Sequence, residues 1–126
     1  MQDHKDIGSR AITDAIYRVV SIYLGIEFFF WGISNFSNDF DFDGRFGYPS
    51  WIQIPIGIAE TAAGIGLMIP RANLASLIVL IAVMAGAVFS HLMAGDGGYP
   101  GPAKYLVYFL LMLYYRRDAI PRGFMT

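Results

Sequence analysis

The sequence predicts an all-α fold: an integral membrane bundle of four helices with both termini in the cytoplasm. Three observations carry this prediction. Hydrophobic residues make up 56% of the 126 residues and charged residues 15%, whereas soluble domains average about 45–50% and about 25%. Four apolar segments are separated by polar or glycine-rich loops. Lysines and arginines cluster in the loops that would lie on one side of a membrane.

The four predicted spans belong to one domain at residues 13–117. A polar N-terminal tail precedes it at 1–12 and a C-terminal tail follows at 118–126. The spans cover residues 16–36, 51–69, 74–93 and 102–117. About 20 apolar residues in a helix cross a hydrocarbon layer of ~30 Å, so the fourth span is short. The turn at 70–73 is so tight that the second and third spans must form an antiparallel hairpin.

The basic residues predict the orientation. Four spans place both termini on the same side, and with that side in the cytoplasm seven of the nine lysines and arginines lie inside. Only Arg45 and Lys104 lie outside. This asymmetry follows the positive-inside rule.

Composition excludes several classes of function. The sequence contains no cysteine, which excludes disulfides, thiol redox chemistry and iron–sulfur ligation. A net charge of −1 offers no basic field for nucleic acid. The N-terminal residues are polar and carry no cleavable signal, so we expect the first apolar segment to remain as an anchor. No nucleophile–base pair or phosphate loop is evident. We expect no catalysis by the chain on its own.

Two carboxylates lie near the middle of predicted spans, Glu27 in the first and Glu60 in the second. An intramembrane carboxylate is costly, so each is expected to be protonated, paired or turned toward a polar cavity. One interpretation is functional: the pair handles protons, or anchors a quinone or another small ligand between helices. The other is structural: each carboxyl bonds a neighbouring hydroxyl or carbonyl and fixes the helix register. The residues leave both open.

Small residues surround Glu60 and recur in the third span. We expect the bundle core to be lined by Glu60 together with Gly57, Gly64, Ala82 and Gly86. Small residues allow membrane helices to approach closely.

His91, near the outer end of the third span, is a further candidate for proton or ligand handling. Imidazole titrates near neutral pH, so it can relay a proton to or from the Glu60 region. It can equally hydrogen-bond a tyrosine at the interface.

The first external loop contains a weak calcium motif. Asp39, Asp41 and Asp43 alternate before Gly44, as in the opening of a calcium loop. The twelfth position is Ser50, where such a loop needs a bidentate glutamate. A solvated acidic loop with aromatic anchors is the preferred interpretation, and no metal site is expected.

These residues together resemble the DoxX-like family over roughly residues 15–117. The resemblance is carried by Gly57-x-x-Glu60-x-x-x-Gly64-x-x-Leu67-x-x-Pro70, Leu74-Ala75, Ala85-Gly86-Ala87 before His91, and a short last span closing on Arg116-Arg117. Relatives often carry a lysine after a Gly-x-x in the first span, where this chain has Gly32-Ile33-Ser34-Asn35.

The resemblance implies a small subunit in the bacterial cytoplasmic membrane, because the family's namesake is linked to a terminal quinol oxidase and to thiosulfate:quinone oxidoreductase. The leading hypothesis is a non-catalytic accessory subunit of a larger membrane complex in quinone-linked redox chemistry. The alternative is a stand-alone protein that binds quinone or another small hydrophobe, or handles protons, at Glu60. Expected partners are membrane lipids and other subunits or further copies of the chain. No covalently bound cofactor is expected, and quinone is the candidate ligand.

Overall fold

The computed structural model describes residues 4–36 and 50–117, and within them it contains four α-helices and no strand. The helices are α1 (His4–Ser34), α2 (Gln53–Met68), α3 (Asn73–Ala94) and α4 (Pro100–Tyr115). A 3-10 turn, Ser50–Ile52, leads directly into α2. The predicted all-α class is therefore confirmed.

Helix α1 begins before the first predicted span at 16–36. It is helical from His4, inside the stretch interpreted as a polar tail. Hydropathy indicates which part of a helix can lie in lipid, but it does not indicate the residue at which the helix begins. The stretch contains no proline, and its single glycine, Gly8, costs a helix only about 1 kcal/mol. The 31 residues of α1 span about 46 Å, more than a hydrocarbon layer.

The ends of α2 and α3 follow from local chemistry. Ile69 leaves the helical region (φ −103°, ψ 118°) because it precedes Pro70, whose ring disfavours α geometry in the residue before it. Gly95 closes α3 in the left-handed region at φ 64°, where its N–H bonds the carbonyls of His91 and Leu92. A residue with a Cβ adopts that conformation only at a cost.

The helices pack in chain order, α1 on α2, α2 on α3 and α3 on α4. Aromatic side chains then join α4 back to α1: the ring centroid of Phe28 lies 5.0 Å from that of Tyr105 and 5.2 Å from that of Phe109. The buried core contains residues from all four helices. It consists of Leu24, Phe28, Ala63, Leu67, Leu77, Leu80, Met84, Phe109 and Met112.

Much of the outer surface is apolar. Two helical stretches, Arg10–Ser34 and Asn73–Ala94, are long and apolar enough to cross a membrane. Large side chains point outward on each helix, as at Phe30 (64% exposed), Ile58 (56%), Phe89 (59%) and Leu111 (63%). Exposed apolar surface on this scale is typical of a membrane or protein contact.

Candidate functional site

Two pairs of glycines bring α1 and α2 into backbone contact. A Cβ on Gly64 would lie 2.6 Å from the Phe29 nitrogen and 2.7 Å from the Gly25 carbonyl oxygen. A Cβ on Gly57 would lie 3.0 Å from the carbonyl oxygen of Gly32. The pairs Gly25–Gly64 and Gly32–Gly57 run in opposite chain directions, so α1 and α2 are antiparallel. Only glycine at these positions allows such a close approach.

Glu60 lies in this interface and is 8% exposed. The Asn35 side chain, just beyond the end of α1, donates from Nδ2 to Glu60 Oε2 at 3.4 Å and to the Trp31 carbonyl at 3.1 Å. Helical side chains tilt toward the N-terminus of their helix, which carries the Glu60 carboxyl toward the C-terminal end of α1. The sequence singled out Glu60 and not its partner, because an asparagine at a helix end ordinarily indicates a cap or turn.

Glu27 takes a different partner. The Tyr105 hydroxyl of α4 donates a hydrogen bond to Glu27 Oε1, and Lys104 lies over the Tyr105 ring, 4.7 Å from its centroid. Glu27 is half-buried and borders a shallow cavity of about 270 Å³, which Phe30 and Trp31 also line.

The two carboxyls therefore serve different interfaces, Glu60 between α1 and α2 and Glu27 between α1 and α4. Along α1, Glu27 and the Asn35 partner of Glu60 are eight residues apart, about 12 Å in a helix. The hydrogen bonds of the described residues join each carboxyl to its own neighbour and do not join the two to each other. This arrangement does not support a proton shared between them.

His91 contacts the Asp96 carboxylate at the end of α3. Its Nδ1 lies 2.8 Å from Asp96 Oδ1, and the same carboxylate oxygen accepts the Gly98 N–H at 2.9 Å. The imidazole thus links the last turn of α3 to the loop that follows it. Its acidic partner, Asp96, was not among the residues that the sequence singled out.

The third-span small residues lie elsewhere than expected. Ala82 and Gly86 are exposed, and a Cβ on Gly86 would meet nothing within 4 Å. They do not line the core of this chain, because α3 turns its larger residues Leu77, Leu80 and Met84 inward. Small size by itself does not report which way a helix is rotated.

The calcium candidates Asp39, Asp41 and Asp43 lie outside the described residues. Within residues 4–36 and 50–117, no group of three or more histidine, aspartate or glutamate side chains is arranged to hold a metal ion.

A polar-lined cavity that the sequence did not indicate, named here the Asn73 cavity, lies between the helices. It has a volume of about 310 Å³ and lies at the end of the bundle that contains the α2–α3 turn. Its polar lining includes Asp14, Tyr17, Arg18, Ser21, Asn73 and Arg116. These residues come from two helices, α1 and α3, and from the position just after α4, so no local pattern connects them.

Asn73 organises the polar lining and is only 3% exposed. Its Nδ2 donates to the Leu67 carbonyl at 2.9 Å and to Ser21 Oγ at 3.3 Å. Its Oδ1 accepts from the Tyr17 hydroxyl and from Arg116 Nη1, the latter at 2.8 Å. One amide thus ties α1, α2 and α4 to the start of α3. An asparagine inside an apolar hairpin was the one available sequence signal.

A second hydrogen bond borders this cavity. The Tyr115 hydroxyl donates to Asp14, and the Tyr115 ring stacks on Tyr17 with centroids 4.9 Å apart. The Arg116 guanidinium lies 5.8 Å from the Tyr17 ring centroid. The end of α4 is therefore held against α1 by aromatic, cation–π and hydrogen-bonding contacts together.

Comparison with known proteins identifies a family. The family model described as the DoxX-like family matches residues 19–114, a stretch that runs from within α1 to within α4. No curated protein and no solved structure matches the chain significantly.

Proposed function

Because the chain belongs to the DoxX-like family, we propose that it is a non-catalytic accessory subunit of a larger complex in the bacterial cytoplasmic membrane. We propose further that the complex carries out quinone-linked redox chemistry. The quinone link rests on the resemblance to the family's namesake subunit.

The family and the apolar helices indicate a membrane protein, and four crossings are the proposed topology. Helix α3, with 22 residues, is about 33 Å long. Helix α2 is about 24 Å long, and the 3-10 turn before it adds about 6 Å. Helix α4, also of 16 residues, is the shortest crossing and needs thinner bilayer or its flanking residues.

The topology can be tested by single-cysteine labelling, since the sequence contains no cysteine. With both termini in the cytoplasm, Ala72→Cys in the α2–α3 turn should be protected from an impermeant maleimide in intact cells. Ala94→Cys at the other end of α3 should be labelled. Labelling of both positions, or only of Ala72→Cys, would refute the proposed orientation.

The observation that supports the accessory role is the contrast between a polar interior and an apolar outer surface. The buried polar side chains described above bond to one another across helices, as Asn35 does to Glu60, while the outward faces remain apolar. Among the described residues, the Thr61 hydroxyl is buried without a hydrogen-bond partner, but the buried Glu60 carboxyl and Asn73 amide are bonded within the bundle. A bundle that pairs these groups internally and presents apolar faces is suited to pack against lipid or other membrane subunits.

The test is purification of the complete chain from its native membrane in mild detergent or nanodiscs. Mass spectrometry then identifies co-purifying proteins, and extracted lipids are assayed for quinone. A stoichiometric larger complex with redox subunits is the expected result. Recovery of the chain as a lone monomer would contradict the accessory role.

The second candidate is a ligand-handling protein that acts on its own. The Asn73 cavity favours it, because about 310 Å³ is at the small end of the range for ligand pockets. Glu60 lines neither this cavity nor the one beside Glu27. A homo-oligomer that retains quinone would support this candidate. If the Glu60→Gln variant loses the quinone, the binding site includes Glu60. If the variant retains the quinone, Glu60 is not part of the binding site.

A further inference from the structure

The Asn73 cavity combines cationic groups, hydroxyls and an apolar floor. Arg18 and Arg116 contribute two positive charges and Asp14 one negative charge, which leaves a formal charge of +1. Ile22, Leu67 and Met68 line the same cavity and provide apolar contact. A ligand that matches this lining has one negative charge next to an apolar chain.

Arg116 is held in place before any ligand arrives. It is half-buried, and Asn73 Oδ1 accepts one of its N–H groups at 2.8 Å. The guanidinium carries five N–H donors, so others are left to bind an anion. Because Asn73 is itself fixed by Leu67 and Ser21, little side-chain entropy is lost at Arg116 when an anion binds.

Arg18 is the more exposed of the two cations. It is exposed, and it has no recorded hydrogen-bond or ion-pair partner in the part of the chain that the structure describes. Arginine is well suited to phosphate oxygens, since its planar fork binds two of them at once.

The position of the cavity indicates that the anion is a lipid headgroup. Arg18 lies near the start of the first predicted span, Asn73 begins α3 directly after the α2–α3 turn, and Arg116 follows α4. If α1 to α4 cross the membrane as proposed, all three lie at the cytoplasmic headgroup level. Ile22, 40% exposed, borders the cavity on its lipid-facing side and can receive an acyl chain.

We propose that the Asn73 cavity binds the phosphate diester of an anionic phospholipid, with Arg18 and Arg116 as the cationic groups. This inference rests on the proposed membrane topology. A diester carries one negative charge, which balances the formal charge of the lining.

The test uses the complete chain in mixed micelles of phosphatidylglycerol and phosphatidylcholine, with native mass spectrometry to count the lipids retained. Wild type should retain phosphatidylglycerol preferentially. Arg18→Gln should reduce that preference roughly tenfold, the loss expected for a charge-assisted hydrogen bond. Arg116 is left unchanged because its bond to Asn73 also supports the fold.

The matched control is Arg117→Gln. Arg117 follows α4 at the same end of the bundle, but its guanidinium stacks on Tyr114, 4.1 Å from the ring centroid, and it does not line the cavity. It should lose only the general attraction of a basic residue for anionic lipid, a few-fold at most. Equal losses in Arg18→Gln and Arg117→Gln would overturn the proposal.

Two further arms separate the alternatives. Arg18→Lys keeps the charge but not the planar fork, so it should lose less of the preference than Arg18→Gln; a loss as large as in Arg18→Gln would mean that the positive charge at this position does not bind the lipid, against the proposal. Inorganic phosphate should not displace the lipid. If it does so fully at millimolar concentration, the ligand is a soluble phosphate instead of a headgroup.

Failure of this inference is distinguishable from failure of the proposed topology. Alkaline extraction of membranes that contain the chain tests insertion independently. If the chain is released, the topology fails. If the chain stays in the membrane but shows no preference for phosphatidylglycerol, only the assignment of the cavity fails.

Discussion

Replacement of Gly64 by alanine tests the close contact between α1 and α2. The added Cβ would lie 2.6 Å from a backbone nitrogen and 2.7 Å from a backbone oxygen of α1. Ordinary contacts of a carbon atom are about 3.5–4.0 Å. Because both obstructing atoms belong to the main chain, no rotamer change removes the clash, and the two helices must separate.

The expected cost follows from two opposing effects. Alanine gains about 1 kcal/mol over glycine in helix propensity. Overpacking of a tight interface costs about 1–3 kcal/mol, and a clash with backbone atoms belongs at the upper end of that range. We therefore expect Gly64→Ala to lower the free energy of unfolding by about 2 kcal/mol.

The matched control is Gly86→Ala, because Gly86 lies in α3 and a Cβ there would meet nothing within 4 Å. It should keep the propensity gain and be neutral or more stable by up to about 1 kcal/mol. Equilibrium unfolding of the complete chain in mixed micelles measures both variants against wild type. If Gly64→Ala is as stable as Gly86→Ala, the glycine-mediated contact is wrong.

Three further substitutions test the polar contacts by the same unfolding measurement. Asn73→Ala removes four hydrogen bonds and should lower the free energy of unfolding by about 2–4 kcal/mol. Its control, Ser34→Ala, removes one exposed bond to a carbonyl and should lower it by under about 0.5 kcal/mol. Similar losses of stability in the two variants would contradict the role of Asn73. Tyr105→Phe removes the hydroxyl bound to Glu27 and should cost about 1–2 kcal/mol, whereas the exposed Tyr108→Phe should change little; equal effects would refute that contact. Glu60→Gln keeps an acceptor for Asn35, so its free energy of unfolding should stay within about 1 kcal/mol of wild type, while that of Glu60→Ala should fall by about 2 kcal/mol. A large loss of stability in Glu60→Gln would show that the charge of Glu60 matters to the fold.

The family and the all-α class were predictable because both depend on information spread along the chain. Apolar segments with proline and glycine at their borders indicate helices wherever they later pack. Helix α2 ends at Met68, close to Pro70, since proline acts through its own ring on the residue before it. No residue in the sequence marks the start of α1 at His4, because the helix continues from the apolar segment into polar sequence.

Helix rotation was the main quantity that the sequence left open. Gly64 and Gly86 are the same residue type and lie in equally apolar stretches of the sequence. Gly64 nevertheless contacts the backbone of a neighbouring helix, whereas Gly86 faces outward. Rotation depends on how all four helices fill their shared core, with Leu77 and Leu80 pointing inward on α3. No local pattern records that competition.

The sequence by itself therefore determined the class of protein, the family and which segments are apolar helices, because composition and helix-ending residues act locally. Only the tertiary structure decided the partners of the polar groups. Glu60 meets Asn35 and Glu27 meets Tyr105 because α1 turns different faces to α2 and α4. The Asn73 cavity exists only once residues from three helices and the end of α4 meet around one buried amide, a consequence of long-range packing.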